Sequence, residues 1–299
     1  MKILNFGSCN LDYVYALDHI VAPGETESSL EMKIFPGGKG LNQSIAAARA
    51  GAEVYHAGCV GEDGQLLLDI LGQSGVNTGY LQTVSTKNGH TIIQVTGDGE
   101  NSIVLYAGSN AMITEELIDS VLADFAEGDI LLLQNEINLV PLIVEKAHKK
   151  GVYTILNPSP FNEKIGQIDL NSISCLILNE VEAKGFSGES EPEKIADHFQ
   201  KCYPNTKIML TLGKNGCMYA DENQRLYHPA FSVQAVDTTA AGDTFTGYFA
   251  AGLANGTPME KILKTASAAS AISVTRNGAA PSVPMMAEVV EFLNIRKDG

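Results

Sequence analysis

The sequence predicts an α/β fold: a three-layer α/β/α sandwich around a mainly parallel central sheet, with a small β-sheet lid added to it. Three observations predict it. Short apolar runs of strand length alternate with longer amphipathic stretches of helical length, the pattern of βαβ units whose sheet is covered on both faces. Two segments break that alternation and read as β structure of another kind. No linker, internal repeat or low-complexity stretch divides the 299 residues. One domain spanning 1–299 is therefore expected, with the lid formed by insertions near 13–36 and 91–107.

In chain order, Lys2–Phe6 opens as a strand. Glu25–Phe35 is polar and extended and ends at Pro36. Thr91–Thr96 and Ser102–Tyr106 flank Gly97-Asp98-Gly99-Glu100, which reads as a β-hairpin with a four-residue turn. These strands fit poorly in a parallel core sheet and read as a flap; two ordinary surface excursions are the plainer alternative. Glu115–Phe125 has a helical pattern. Ile130-Leu131-Leu132-Leu133 follows a Gly-Asp turn and is apolar at every position, as a strand buried on both faces must be. Tyr153–Leu156, Cys175–Leu178 and Ile208–Leu210 repeat that pattern. Leu139–Lys149, Glu191–Gln200, Phe245–Leu253 and Met259–Thr275 are the helices between and after them.

Composition bounds the function. A chain of this length buries roughly three-quarters of the surface its unfolded form exposes, so the core needs neither disulfides nor a structural metal. Lys plus Arg is 20 against 35 Asp plus Glu, a net charge of −15. That balance argues against a nucleic-acid or anionic-membrane binder, because both need a basic footprint. Cys9, Cys59, Cys175, Cys202 and Cys217 form no CxxC pair and are odd in number, which fits free thiols in a reducing cytosol. The six histidines form no HExxH or HxxxH pair, so zinc has little support. The first residues lack the character of a signal peptide, and no apolar run approaches the roughly 18 residues of a membrane span. A cytoplasmic protein is expected.

Four segments have the residues for chemistry. Pro36-Gly37-Gly38-Lys39-Gly40-Leu41-Asn42-Gln43 runs into the Ala-rich Ser44–Arg49. Its glycines permit close backbone approach, and the helix that follows is expected to offer unpaired N–H groups. The Walker spacing is absent, because Gly40 follows Lys39 where Ser or Thr would stand. Close packing explains such a turn as well; Lys39 and Asn42 on one turn favour a small polar ligand. Val236-Asp237-Thr238-Thr239-Ala240-Ala241-Gly242-Asp243-Thr244-Phe245 places small residues at a helix start, where an anion can touch the backbone N–H groups. Asp243 there is either a proton acceptor for an attacking hydroxyl or an N-cap.

The third group is Asn179-Glu180-Val181-Glu182 and Thr211-Leu212-Gly213-Lys214-Asn215-Gly216, each following a strand. Ligands of open α/β sheets collect at such strand ends, although turn chemistry accounts for either segment alone. The fourth is Ser8-Cys9-Asn10-Leu11-Asp12 after the first strand. Asn10 and Asp12, two apart in an extended segment, point the same way and suit adjacent hydroxyls; an Asx turn is the bland alternative.

Together and in this order, these segments resemble the ribokinase-like sugar kinases, the PfkB family, over essentially the whole chain. Gly37–Gln43 is similar to the family's first signature and Asp237–Asp243 to its second. Val274-Thr275-Arg276-Asn277-Gly278-Ala279-Ala280-Pro281-Ser282 resembles its monovalent-cation segment. The resemblance implies ATP-dependent phosphorylation of the primary hydroxyl of D-ribose to D-ribose 5-phosphate. It makes Asp243 the catalytic base, with the Ala240, Ala241, Gly242 and Asp243 backbone around the transferring phosphoryl group. It assigns Asn10, Asp12, Gly38, Lys39, Gly40, Asn42 and Glu136 to the sugar. Asn179, Thr211, Leu212, Gly213, Lys214, Gly216 and Gly242 go to ATP. Asn179 and Glu182 are linked to Mg²⁺. K⁺ is placed near Asp237, Thr239, Ser273, Arg276, Gly278 and Ser282, mostly through carbonyls, with Ser273 departing from the small apolar residue expected there. The flap would be the family's lid, which often pairs across a homodimer. A related kinase for deoxyribose, a ketohexose or a nucleoside is an alternative, as is a non-catalytic sugar-binding protein on the same fold.

Overall fold

The computed structural model describes residues 1–296; the last three positions of the expected 1–299 domain lie outside the described residues. The central sheet has nine strands. β1 (Ile3–Phe6) lies between β8 (Ile130–Leu133) and β4 (Val54–Gly61), parallel to both. β2 (Asn10–Leu17), β3 (Glu31–Gly37), β6 (Gly89–Thr96) and β7 (Asn101–Tyr106) belong to a second sheet. In the first, β5 (Asn77–Val84) extends one side. β9 (Tyr153–Leu156), β10 (Cys175–Asn179) and β11 (Lys207–Thr211) extend the other, all parallel. β12 (Cys217–Ala220) and β13 (Arg225–His228) close that edge in antiparallel pairing.

The uniformly apolar runs are strands because both faces are covered. Along β8, Ile130 and Leu132 join the apolar cluster on one face, Leu131 and Leu133 the cluster on the other. The first face is covered by α1 (Lys39–Arg49), α2 (Gln65–Gln73), α7 (Ala241–Ala254), α8 (Met259–Ser273) and α9 (Met286–Ile295). The second is covered by α3 (Glu115–Leu122), α4 (Val140–Lys149), α5 (Glu180–Ser187) and α6 (Pro192–Cys202). α7 is buried on most sides and crosses α1 closely. A Cβ at Gly247 would come within 2.4 Å of the Ala46 Cβ, so only glycine permits that approach. Sequence periodicity does not name β4, β5, β12 or β13, nor α2, α5 or α9. β4 is interrupted by the fully buried His56 and by glycines, which hide an otherwise apolar run.

The two segments that break the alternation meet in the four-stranded sheet β3-β2-β6-β7. β6 and β7 form the expected hairpin, with His90 opposite Tyr106 and Val95 opposite Asn101. β2 continues almost directly from β1 and is the strand that joins the two segments: it pairs antiparallel with β3 and parallel with β6. Asn10 lies opposite Gly37 and Gly89, and Asp12 opposite Phe35 and Thr91. The two polar side chains thus share one face of the small sheet, above the C-terminal end of β1. No helix among the described residues is long and apolar enough to cross a membrane.

Candidate active site

Gly38, at φ 94°, turns the chain out of β3 and caps α1. The helix begins at Lys39, earlier than the Ala-rich stretch alone indicates, so Gly40, Asn42 and Gln43 belong to its first turns. The expected free N–H groups are not there. Lys39 N donates to Glu136 Oε2 at 2.9 Å, Gly40 N to Ser8 Oγ at 3.2 Å, and Leu41 N to Ser8 O at 2.9 Å. The protein's own oxygens occupy this helix start because Gly40 lets α1 rest on the β1–β2 corner; a Cβ there would come within 2.4 Å of Ser8 N. The close approach of Gly40 is therefore to the chain itself.

Free N–H groups lie at α7 instead. Ala240 caps that helix in the left-handed region, φ 58°. Ala241 N reaches Thr238 O at 3.3 Å and Thr244 N reaches Ala240 O at 2.8 Å. The N–H groups of Gly242 and Asp243 donate to no acceptor among the described residues, so this helix start presents the unpaired donors that an anion can use. Asp243 is 6% exposed, and it is not a side-chain N-cap. Its carboxylate is held from α1: Asn42 Nδ2 donates to Oδ2 at 3.0 Å and Gln43 Nε2 to Oδ1 at 2.9 Å. Gln43 also reaches Asn157 Oδ1 at 3.2 Å, and its Oε1 accepts from Gln134 Nε2 at 2.7 Å. Sequence spacing could not find Gln43, Gln134 and Asn157 as supports, although Gln43 stands inside the Gly-rich segment.

Asp243 and Lys39 lie on a cleft of about 810 Å³ that also takes in Asn179, Glu182, Thr211, Gly213, Lys214, Gly216 and Gly242. Phe231, Val233, Ala271 and Val274 give it an apolar wall. Lys39 has its pKa raised, chiefly by the Asp243 charge, with burial opposing and Glu136 and Glu182 adding to the rise. It forms no ion pair within 4.0 Å among the described residues, so the ammonium is available to an anion. Asn179 and Glu182 form a capping box on α5: Glu182 N donates to Asn179 Oδ1 at 2.9 Å, and Asn179 N to Glu182 Oε2 at 3.0 Å. Leu212, expected at the nucleotide, puts its side chain into the core instead, 6% exposed; a leucine leaving β11 has an apolar layer beneath it.

Apart from Lys39, the residues expected at the sugar form a second polar cluster, between the start of α1 and the small sheet, and do not line that cleft. Glu136 Oε2 accepts from Ser8 Oγ at 2.5 Å as well as from Lys39 N, and burial pushes its carboxyl up from the usual range. Thr91 Oγ1 donates to Asp12 Oδ1 at 2.5 Å. Burial pushes Asp12 up to about 6, with the Thr91 hydroxyl opposing and the Glu136 charge adding. Gly37 is glycine for this carboxylate, since a Cβ would lie 2.0 Å from Asp12 Oδ2.

The segment expected to hold a monovalent cation folds together. Asp237 accepts Thr239 N at 2.9 Å and Gly278 N at 2.8 Å; burial works to raise its pKa, but the Thr239 hydroxyl and these two amides hold it low. The backbone carbonyls of Asp237, Thr239 and Gly278 accept no backbone hydrogen bond among the described residues. Ser273 turns its hydroxyl back to Ser270 O at 2.8 Å, which is how a polar residue stands at a fully buried position. Ser282 does the same to Ala279 O. Arg276 directs its side chain away, to Glu288.

A ribokinase of Haemophilus influenzae is 38% identical over 297 residues, covering 96% of each chain. A deoxyribokinase of Salmonella typhi is 30% identical, covering 99% of this chain and all of its own. The solved structure of Arabidopsis thaliana ribokinase complexed with ribose and ATP superposes with a TM-score of 0.88 at 30% identity, covering 98% of both chains. The model of the pfkB family carbohydrate kinases matches residues 1–286. With the whole fold and nearly the whole length accounted for, this chain belongs to the pfkB family of carbohydrate kinases, phosphotransferases that act on an alcohol group.

Proposed function

We propose that the chain transfers the terminal phosphoryl group of ATP to the primary hydroxyl of D-ribose, giving D-ribose 5-phosphate. The observation that carries this reading is the seat of Asp243, a buried carboxylate gripped by two amides beside the free N–H groups of Gly242 and Asp243. Phosphoryl transfer is mostly positioning and charge stabilisation. Asp243 takes the hydroxyl proton as that oxygen attacks phosphorus. The α7 amides, with Lys39, stabilise charge on the moving group. Asn10, Asp12, Gly38, Asn42 and Glu136 hold the sugar, and Thr211, Gly213, Lys214 and Gly216 hold the nucleotide against the apolar wall.

Glu182 lines the cleft with Oε1 outside the capping box, which fits a hard cation held partly through water. A Mg²⁺ held there by Glu182 would supply positive charge beside the phosphates. The unengaged carbonyls of Asp237, Thr239 and Gly278 fit K⁺. The small sheet acts as a lid that excludes water. Its exposed apolar residues Met32, Ile34, Ile103, Val104 and Leu105 favour pairing with a second copy, which sedimentation velocity tests directly. The five unpaired thiols agree with a reducing cytoplasm.

The test of substrate is ADP release with D-ribose, 2-deoxy-D-ribose, D-fructose, a nucleoside, or no acceptor. Ribose is expected to give the highest kcat/KM. A higher value for deoxyribose would favour the reading raised by the Salmonella typhi relative, and binding without ADP release would make this a sugar-binding protein.

A further inference from the structure

Asn110 stands outside every segment singled out in the sequence. It follows β7 in a short 3₁₀ turn, Gly108–Ala111, and is 2% exposed. The backbone N–H of Cys9 donates to its Oδ1 at 3.0 Å. A backbone amide can only donate, so this bond settles which end of the Asn110 amide is oxygen. The other end, Nδ2, donates to Asn10 Oδ1 at 2.7 Å. With its oxygen engaged, Asn10 has its Nδ2 left for a ligand, and no acceptor among the described residues takes it. On the same sheet face, Asp12 has Oδ1 engaged by Thr91 and Oδ2 left to accept. The Asn110–Asn10 contact passes directly over Gly89. A Cβ there would lie 2.1 Å from Asn110 Nδ2 and 2.6 Å from Asn10 Oδ1.

We infer that Asn110 is a specificity-determining positioning residue: by fixing the Asn10 amide with its NH₂ toward the sugar, it makes position 10 a donor beside the acceptor at Asp12, so the site reads two neighbouring hydroxyls with a set polarity. One sugar oxygen accepts from Asn10 and the other donates to Asp12. This rests on the ribose reading above and adds a rule to it. At the carbon facing Asn10, a group that only accepts is tolerated; at the carbon facing Asp12, it is not.

The experiment compares D-ribose with 2-deoxy-2-fluoro-D-ribose and 3-deoxy-3-fluoro-D-ribose, and with the corresponding amino sugars, in the unmodified enzyme and in Asn110→Asp. The variant keeps the acceptor for Cys9 N but offers Asn10 an acceptor where it had a donor, so the Asn10 amide turns over. In the unmodified enzyme, one fluoro sugar is expected to outperform its amino counterpart in kcat/KM, and at the other carbon the order reverses. In Asn110→Asp, the favoured fluoro sugar should lose at least about tenfold more than ribose does, through KM, with the KM for ATP unchanged. A purely structural role would lower all sugars together, and that result overturns the inference. If the variant does not fold, the unmodified enzyme decides alone: the same preference at both carbons, fluoro or amino, overturns it. Absence of ribose turnover in the unmodified enzyme would overturn the ribose reading and this inference with it.

Discussion

Replacing Asp243 by Asn separates chemistry from architecture at this site. Asn has nearly the same size, and the backbone N–H groups at the start of α7 are unaffected. It cannot take the hydroxyl proton, and general-base catalysis contributes about 10²–10⁴-fold, or about 3–5 kcal/mol of barrier. The structure adds a second effect. Both carboxylate oxygens accept amide donors, Asn42 Nδ2 at 3.0 Å and Gln43 Nε2 at 2.9 Å. An Asn at this position keeps one acceptor and turns a donor toward the other amide. Leaving that buried donor unmatched costs about 1–3 kcal/mol of folding stability. Turnover measured by coupled ADP release at saturating ribose and ATP should therefore fall at least about a hundredfold. Nucleotide affinity by calorimetry should be unchanged, and the Tm should drop by a few degrees. A folded variant with turnover within about threefold of the unmodified enzyme would refute the role given to Asp243.

Gln43→Met removes the hydrogen bond to Asp243 Oδ1. A bond to a charged group contributes about 1.5–3 kcal/mol, so kcat should fall roughly ten- to a hundredfold with the KM for ATP unchanged; an unaltered kcat would remove Gln43 from the grip. The raised pKa of Asp12, about 6 against an ordinary 3.8, means the folded protein keeps a proton there that the unfolded chain has released. Its contribution to stability is therefore lost as pH rises through that window, and Asp12→Asn should flatten this part of the Tm–pH curve. The proposed sugar contact is made by the ionised carboxylate, so ribose affinity by calorimetry should strengthen between about pH 5 and pH 7 in the unmodified protein and not in Asp12→Asn. Replacing a bulky organic cation by K⁺ at constant ionic strength should raise kcat, and Asp237→Ala should abolish the response; equal rates in both buffers would sink the cation site.

Elements dictated by local chemistry are legible from the amino acids alone. Ile130–Leu133 is a strand by its uninterrupted apolar run, and the structure gives the same bounds. The β6–β7 hairpin is legible from its turn, and Asp243 from the small residues before it at a helix start. The choice between ligand and packing at the glycines was not local. Gly40 packs on Gly7 and Ser8, thirty-odd positions away, and Gly37 makes room for Asp12. Likewise Ser8 and Glu136 use up the N–H groups of α1, and the start of α7 keeps its own unpaired. Asn110 meets Asn10, and Gln43 meets Asp243, across a hundred and two hundred positions. These meetings follow from tertiary assembly. Asn10 opens β2, Asn110 follows β7, Gln43 lies on α1 and Asp243 on α7, so these side chains converge only once both sheets and the helices on them have assembled. A hydrogen bond between them leaves no period or spacing in the sequence, because a buried polar side chain answers to whatever the fold places beside it.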